Sequence, residues 1–569
     1  MRRIFALAAT GLCLALTQPA VAQGVSGAYL AGRQASFLGD FEAAARYYSE
    51  AIMHDPGKPE LLERAALSYL SLGNIDRATL FGDKLEADGH RSQIAQMAKI
   101  GALGAKGNYA EILKRLDEDR GVGPLADGLV KAWATLGEGD MTAALVAFDE
   151  VGQERVLTGF AMYHKAVALA SVGDFETAID ILSDPAVGPM RNTRRAVVAR
   201  AQILSQLQRY DDAVTLINQQ FRGDLDPELT QMVDTLKAGD ALPFTTVRSA
   251  RDGMAETFYT LAGALSDEAD DDFTLLYARL AEYLRPDHVP AILLTAELLE
   301  KIGQSDLAVE TYRKVPSDNP SFHAAEIGRA AALRDSGRDE AAIEVLESLA
   351  KTHGDMAIVQ STLGDTMRKM ERFAEAVTAY TKALDLYEGD PQRQWFLYYA
   401  RGICNERVGD WPNAEADLRK ALELNPNQPN ILNYLGYSLV QQHIKLDEAL
   451  DMIERAVDAS PNSGYIVDSL GWVLYTLGRY DEAVGHMERA AELMPVDPVV
   501  NDHLGDVYWA VGRHMEARFM WRRALSFLDH GTASEEVDPD RIRRKLEVGL
   551  DEVLIEEGAD PLKVADGDN

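Results

Sequence analysis

The sequence predicts an all-α protein built from one repeated helix-turn-helix unit. Three observations support this prediction: a glycine recurs every 34 residues, an alanine follows many of these glycines after five residues, and a proline follows several of those alanines after twelve. The glycine series begins at Gly39, Gly73 and Gly107. Glycine can adopt positive φ in a tight turn, alanine lets two helices cross closely, and proline ends a helix. A fixed period of this kind indicates stacked units that bury a continuous core together.

The period places about fourteen units along the chain. Well-preserved units are predicted at 25–58, 125–158, 159–192, 289–322, 323–356, 357–390, 395–428, 429–463, 464–497 and 498–531. Weaker units, which keep the period and lose half of the signature, are predicted at 59–92, 93–124, 194–227 and 255–288.

Two segments depart from the repeat. Residues 228–254 contain Pro243 and lack the signature, so we expect the stack to divide there. After residue 531 the sequence predicts a polar helix that covers the last apolar face, as terminal repeats require. The predicted organisation is an N-terminal repeat segment at 25–227, an irregular connector at 228–254, a C-terminal repeat segment at 255–531, a capping helix at 534–558 and a flexible tail at 559–569.

The first residues are typical of a secretory signal peptide. Two arginines follow the initial methionine, residues 4–16 form an apolar run, and residues 20–22 read Ala-Val-Ala. The run is too short for a transmembrane helix, which takes about 20 apolar residues. We expect cleavage after Ala22 and a location in the periplasm, and the alternative is an uncleaved anchor.

The charge balance excludes several classes of partner. The chain has 57 Lys and Arg against 90 Asp and Glu, which gives a formal net charge of −33. Nucleic acids and anionic membrane surfaces both require clustered cations on the protein. We therefore expect other proteins as partners, through neutral or basic segments, with no nucleic acid and no direct membrane span.

The sequence shows no catalytic or metal-binding motif. HExxH, GxSxG and GxxxxGK[ST] patterns are absent, and the histidines lack metal-ligand spacing. The acidic run at 266–272 lacks the spaced ligands and central glycine of an EF-hand loop, so we expect a solvated turn. Cys404 is expected to be a small buried residue, and the alternative is a reactive thiol. We predict no enzyme activity, no cofactor and no metal.

One copy of the repeat shows its signature in full. The segment SGYIVDSLGWVLYTLGRYDEAVGHMERAAELMPV carries Leu470, Gly471, Gly478, Tyr480, Ala483, Ala490 and Pro495 at the diagnostic spacing. With its 34-residue period, this segment resembles the tetratricopeptide repeat (TPR). The resemblance implies a right-handed superhelical solenoid of helix-turn-helix repeats with a C-terminal capping helix.

The resemblance also implies a binding groove. In the family, the groove is lined by the second, fifth, ninth, twelfth and thirteenth positions of the first helix of each unit. In the last three complete units, the predicted groove residues are Asn433, Tyr437, Tyr465, Asp468, Trp472, Tyr475, Asp502, Asp506 and Trp509. Aromatic rings give large contact areas, and aspartates can pair with basic side chains of a partner. The alternative is that one or two of the aromatics pack between neighbouring repeats, as we expect for Trp521.

The late block from DSLGWVLYTLGRYDEAV to NDHLGDVYWAVGRHMEARFMWRRAL resembles exported bacterial TPR adaptors. In particular, it is similar to the periplasmic adaptor that delivers cell-wall hydrolases to a carboxyl-terminal processing protease. The resemblance implies a non-enzymatic scaffold whose partners are such a protease and its substrates. This chain lacks a lipoprotein cysteine, so association with the outer membrane would be through partners. The alternatives are a component of an envelope assembly or polysaccharide-export complex, and an enzyme with an unrecognised site.

Overall fold

The computed structural model of the protein describes residues 25–222, 225–266, 268–528, 537–559 and 562. The predicted signal peptide, and the predicted tail at 560–561 and 563–569, lie outside these residues. Throughout the described ranges the regular secondary structure is helical and there is no β-strand, which confirms the predicted fold class. No helix in these ranges has the length and apolar character to cross a membrane.

The described chain divides into two compact units, and the boundary falls between residues 349 and 350. The first unit contains the helices α1 Val25–Phe37, α2 Phe41–His54, α3 Pro59–Ser71, α4 Ile75–Ala87, α5 Gln93–Ala105, α6 Tyr109–Asp117, α7 Pro124–Gly137, α8 Met141–Gly152, α9 Thr158–Ser171, α10 Phe175–Ser183, α11 Arg194–Gln206, α12 Tyr210–Phe221, α13 Pro227–Lys237, α14 Ala250–Leu265, α15 Asp271–Leu284, α16 Val289–Lys301, α17 Ser305–Tyr312, α18 Phe322–Asp335 and α19 Asp339–Thr352. Helix α19 ends three residues beyond the boundary of the unit. A short 3-10 segment spans Pro185–Asn192.

The second unit continues with α20 Ala357–Lys369, α21 Phe373–Leu386, α22 Trp395–Arg407, α23 Trp411–Leu424, α24 Pro429–Gln441, α25 Leu446–Ala459, α26 Gly464–Thr476, α27 Tyr480–Leu493, α28 Pro498–Ala510, α29 His514–Leu528, α30 Pro539–Val548 and α31 Leu550–Glu556. A second 3-10 segment spans Pro391–Gln394. With α13 set aside, α1–α29 form fourteen successive pairs, in agreement with the predicted number of repeats.

The turn inside each pair explains the recurrent glycine. At the first turn Gly39 has φ of 71°, a value that residues with a side chain rarely adopt. The next residue, Asp40, accepts a hydrogen bond from the backbone N–H of Ala43 and so caps the second helix. The same glycine and cap recur at residues 73–74, 107–108, 139–140, 173–174 and 409–410.

The predicted connector at 228–254 is not irregular throughout. It contains most of α13 and the first residues of α14, and all of it lies inside the first unit. Between these helices the chain runs along α11: the Gln202 side chain bonds to Thr245 and Thr246, and the Ser205 hydroxyl accepts a hydrogen bond from the Leu242 N–H. The boundary between the two compact units lies about a hundred residues after this connector, where the sequence predicts a division of the stack.

This path brings α14 and α15 onto the first helices of the earlier pairs. The two helices pack against α3, α5, α7 and α9, on the face that the family resemblance assigns to the groove. Glycines make the approach possible. A methyl group at Gly253 would lie 2.2 Å from the Trp133 ring, and one at Gly101 would lie 2.6 Å from a Leu280 methyl. The helices of the predicted unit 255–288 therefore cover the groove face of the earlier repeats.

A buried carboxylate fastens α14 in this position. Glu256 is fully buried and accepts hydrogen bonds from Tyr163 at 2.7 Å and from Arg195 at 2.8 Å, and His288 lies 3.2 Å away. Burial alone would raise the pKa of Glu256, but Arg195 and His288 hold that pKa well below its usual value. The charged carboxylate thus joins α14 to α9, α11 and the start of α16.

A second buried contact joins α14 to α7 and α9. The indole N–H of Trp133 donates to Nδ1 of His164 at 3.2 Å, so Nε2 carries the ring proton and faces the Thr260 hydroxyl at 3.1 Å. Burial lowers the pKa of His164 to about 4, which keeps the ring neutral. The neutral histidine therefore holds its one proton on the side that faces α14.

We predict that Glu256→Ala releases α14 from the earlier repeats. The substitution leaves the Arg195 guanidinium buried without its carboxylate, which typically costs about 3–5 kcal/mol. Hydrogen exchange of the α14 amides in the full chain, measured by mass spectrometry, should become much faster. The matched control is Glu310→Ala, because Glu310 forms an exposed ion pair with Arg313 that is worth less than about 1 kcal/mol. Unchanged protection of α14 in Glu256→Ala would contradict this assignment.

Candidate functional site

The candidate site is the set of groove positions on the first helices of the second unit: α20, α22, α24, α26 and α28. Each of these helices crosses its partner closely. A methyl group at Gly471 would lie 2.3 Å from the sulfur of Met487, and one at Gly505 would lie 2.4 Å from the Trp521 ring. Trp521 is fully buried, in agreement with its predicted place in the core. The close crossing buries one face of each first helix and leaves its groove positions on another.

The last part of this face is covered by the protein's own C-terminal helices. Lys545 of α30 is fully buried, and its ammonium lies 2.8 Å from Asp502 and 2.7 Å from Asp506. Asp506 also accepts a hydrogen bond from the Trp521 indole at 2.8 Å. Burial and the neighbouring Asp506 carboxylate raise the pKa of Asp502, and Lys545 opposes this shift. Both aspartates, which the sequence predicted for a partner, therefore have an internal cation.

Trp509 is also in contact with the protein's own C-terminal helices. Its indole N–H donates to Asp551 of α31 at 2.8 Å, and a methyl group at Gly549 would lie 2.5 Å from its ring. Gly549 has φ of 91° and separates α30 from α31, so the single predicted capping helix is two helices with a sharp turn. The spacing of groove positions located these residues, but it carries no information about a segment 40 residues away that returns to them.

The middle of the face contains a stacked group of aromatic rings. Trp472 stacks on His503 with ring centroids 3.9 Å apart and on Tyr475 at 4.9 Å, and His503 Nδ1 lies 3.1 Å from the Asp468 carboxylate. Burial lowers the pKa of His503, but Asp468 and the nearby aspartates of α28 outweigh it, so the pKa is raised. His503 follows Asp468 by 35 residues, one more than the repeat period, so the two side chains lie on neighbouring first helices.

The first part of the face is open. Tyr465 of α26 is 52% exposed, Phe396 of α22 is 41% exposed, and Ile358 of α20 is 52% exposed. All three hold the second position of their helix. The groove residues predicted from the sequence include Tyr465 but not Phe396 or Ile358, which hold the same position in the units 395–428 and 357–390; in the intervening unit this position is Asn430. We call these three residues the apolar row.

Polar groups lie next to the apolar row. Asn433 of α24 is almost fully buried, and within the described ranges neither atom of its amide group has a hydrogen-bond partner. Tyr399 and Tyr434 make an edge-to-face contact at 6.0 Å, and the Tyr434 hydroxyl donates to Glu406 at 3.1 Å. Tyr437 is half-buried among the rings of this unit. The arrangement offers apolar contact area and one unsatisfied amide.

The described part of the second unit offers no reactive group at this face. Cys404 on α22 is buried, and burial raises the pKa of its thiol to about 12, so the thiol stays protonated. Across the described ranges of the chain, no three His, Cys, Asp or Glu side chains are grouped so that they could hold a metal ion. The face is therefore suited to binding through surface contact.

We predict that His503 makes the stability of the second unit depend on pH. Because its folded-state pKa is raised, the stabilisation is fully present below the unfolded value near 6.5 and is lost as the pH rises through the folded value. The difference in unfolding free energy between wild type and His503→Asn should therefore be larger at pH 6 than at pH 8. Asp468→Asn should reduce this pH dependence, because the carboxylate is the ring's bonded partner. A difference that is constant from pH 6 to 8 would contradict the prediction.

Comparison with known proteins identifies the repeat. Three family models, each described as a tetratricopeptide repeat, match residues 29–91 and 435–498, residues 290–321, and residues 395–428. These segments lie in both compact units, and each coincides with helix pairs of the structure.

Individual relatives match over shorter shares of their length. The TPR repeat-containing protein PA4667 of Pseudomonas aeruginosa is 27% identical over 183 residues, which are 32% of this chain and 30% of that protein. The lipoprotein NlpI homolog of Haemophilus influenzae is 32% identical over 84 residues, 15% of this chain and 26% of the relative. The chain thus spans less than a third of the length of either relative.

Solved structures show distant similarity. The crystal structure of the APC/C hetero-tetramer Cut9-Hcn1 aligns with 92% of this chain and 96% of its own, at 13% identity and a TM-score of 0.38. The family models and the helix pairs agree on the repeat: the chain contains tetratricopeptide repeats at residues 29–91, 290–321, 395–428 and 435–498.

Proposed function

We propose that the protein is a non-enzymatic scaffold that binds a neutral or basic polypeptide segment at the open groove positions of its second unit. Tetratricopeptide repeats are protein-interaction scaffolds, and this proposal assigns the interaction to one part of the chain. The observation that supports it is the apolar row: Ile358, Phe396 and Tyr465 are exposed at equivalent positions of three first helices. Exposed apolar side chains in a row mark a site for another surface.

Elsewhere the protein's own helices take the place of a partner. The groove face of α3, α5, α7 and α9 is covered by α14 and α15, and the groove positions of α28 are covered by α30 and α31. These covering segments are all helices, which supports a helical segment as the ligand of the open positions. The positions from α20 to α26 are the remaining place for an external segment in the described second unit.

The polar groups beside the apolar row favour a polypeptide. The unsatisfied Asn433 amide is buried beneath this face, so the polar contacts to a peptide come from side chains nearer the surface. Asp365 and Glu406 hold groove positions in the first two helices, and Arg368 lies 3.5 Å from Asp365. Together with the net charge of −33, these carboxylates favour neutral or basic segments and disfavour acidic ones.

We predict that single alanine substitutions in the apolar row weaken peptide binding. Peptides would be selected from a random display library with the full-length protein, and their affinities measured by fluorescence anisotropy. Phe396→Ala and Tyr465→Ala should each reduce affinity about thirtyfold, since aromatic hot spots contribute about 2 kcal/mol. Phe519→Ala is the matched control, because Phe519 is 62% exposed on the second helix of its pair.

The same experiment can contradict the proposal. Affinity that is unchanged in both row variants would place binding elsewhere, and selection of predominantly acidic peptides would exclude the proposed charge preference. Thermal unfolding of each variant would show that its loss of affinity is not a loss of fold.

We further propose that this scaffold is exported to the periplasm and presents substrates such as cell-wall hydrolases to a processing protease. The signal-like first residues support export, and the late repeats resemble such an adaptor. A component of an envelope assembly or polysaccharide-export complex is the alternative. Crosslinking in cells, followed by purification and mass spectrometry, should recover a processing protease and a hydrolase with wild type and less of both with Tyr465→Ala. Recovery of an export porin or synthase in their place would favour the alternative.

A further inference from the structure

A cavity in the first unit has a different character from the groove. It lies between α10, the 3-10 segment Pro185–Asn192, α11 and α12, and its volume is about 350 Å³. Its lining includes Arg191, Arg200 and Arg209, together with polar side chains such as Thr215 and Gln219. The Gln220 side chain donates to the Asn192 carbonyl and holds α12 against the 3-10 segment. The cavity is therefore a formed pocket that is rich in cations.

Arg200 is buried and has no counter-charge among the residues that the structure describes. Its side chain is on α11, only 8% of the residue is exposed, and its Nε has no hydrogen-bond partner. Within residues 25–222, 225–266, 268–528 and 537–559, no carboxylate lies within ion-pair distance of this guanidinium. An unpaired buried charge is costly to a fold, so each such group calls for an explanation.

The other deeply buried arginines show how the protein neutralises a buried guanidinium with its own carboxylates. Of the four arginines that are at least nine-tenths buried in the described chain, the three besides Arg200 have carboxylate partners. Arg115 lies 3.0 Å from Glu86, Arg279 lies 3.1 Å from Glu282, and Arg285 lies 3.3 Å from Asp287. A chain with a net charge of −33 has ample carboxylates to place beside Arg200 as well.

Arg191, a second cation at the pocket, increases the free-energy cost of burying the charge of Arg200. Arg191 has no carboxylate within ion-pair distance among the described residues, and it faces the same cavity. Burial first, and then the positive charge of Arg191, lower the pKa of Arg200. Arg209 differs from both, since it lies 2.7 Å from Asp212. Asp212 also lines the cavity and pairs with Arg209, so Arg191 and Arg200 are the two guanidinium groups of the described lining that have no carboxylate partner.

We propose that this pocket, the Arg191–Arg200 pocket, binds a small oxyanion: a phosphate group or a small carboxylic acid. A guanidinium presents parallel N–H donors that match the oxygens of either group. Thr215 and Gln219 offer further hydrogen bonds at the rim, and a volume of about 350 Å³ suits a small molecule. The bound anion would supply the counter-charge that the fold withholds from Arg200. The protein would then carry a small-molecule site separate from its polypeptide-binding face.

The test is isothermal titration calorimetry on the full-length protein with inorganic phosphate and, separately, with succinate. Sodium chloride at matched ionic strength is the reference, because general screening affects all surface charges. We expect saturable binding at one site per chain, with a rise in the melting temperature of the first unit. Binding of phosphate alone would identify a phosphate group as the ligand chemistry, and binding of succinate alone would identify a carboxylate.

Variants make the assignment specific. Arg200→Met should reduce the affinity at least tenfold and should leave the melting temperature in chloride unchanged or raise it, because it removes an unpaired buried charge. Arg191→Gln should also weaken binding, and it tests the site if Arg200→Met fails to fold. Arg313→Gln, at an exposed arginine elsewhere in the unit, should have no effect. No saturable binding of either anion, or full binding in both pocket variants, would overturn the proposal.

Discussion

The close crossing of the two helices in each pair is the constraint on which this protein depends. Ala44 and Ala483 are fully buried at such crossings, and at Gly471 a methyl group would already collide with Met487. A pair held this closely buries only one face within itself, so it must stack on its neighbours to cover more apolar surface. The stack still leaves one face of each first helix uncovered. What covers that face decides what the protein can bind.

The protein covers much of that face with its own chain, and buried charges fix where the covering helices lie. Glu256 brings α14 to Tyr163 and Arg195, which are 93 and 61 residues earlier in the chain. Lys545 brings α30 to Asp502, 43 residues away. A buried charge without its partner costs several kcal/mol, so each of these pairs strongly favours one position of its helix. The positions left open have exposed apolar side chains, such as Ile358, Phe396 and Tyr465.

Arg200 differs from the other deeply buried arginines, because it has no carboxylate partner in the described chain. The three other arginines that are this deeply buried in the described chain each have a carboxylate beside them, either from another helix, as Glu86 is for Arg115, or from nearby in the sequence, as Glu282 is for Arg279. A cavity lined by guanidiniums that lack such partners is therefore better explained by a ligand than by packing. The two proposed sites rest on the same reasoning, namely that a group which the fold leaves unsatisfied indicates a ligand. At the polypeptide-binding face the unsatisfied group is apolar surface, and at the Arg191–Arg200 pocket it is charge.

Much of the local structure could be predicted from residues that lie close together in the sequence. A glycine followed by Asp or Asn specifies a turn and a helix cap within four residues, so the five pairs from α1 to α10 follow from this local signal. The groove positions were also predictable, and applying them to two earlier units would have found Phe396 and Ile358. Asp502, Asp506 and Trp509 are predicted groove positions of α28, but their partners Lys545 and Asp551 were not predictable from that position.

The sequence by itself determined the helical class, the repeat, its turns and the identity of the residues at groove positions, because all of these depend on spacing within a single unit. Only the tertiary structure decided which groove positions are open and which are filled. That outcome depends on contacts between residues 40 to more than 200 apart, such as Trp509 with Asp551 and Arg279 with the Ser71 carbonyl. The free energy of those contacts comes from burial and charge pairing across distant segments, and no local pattern encodes it.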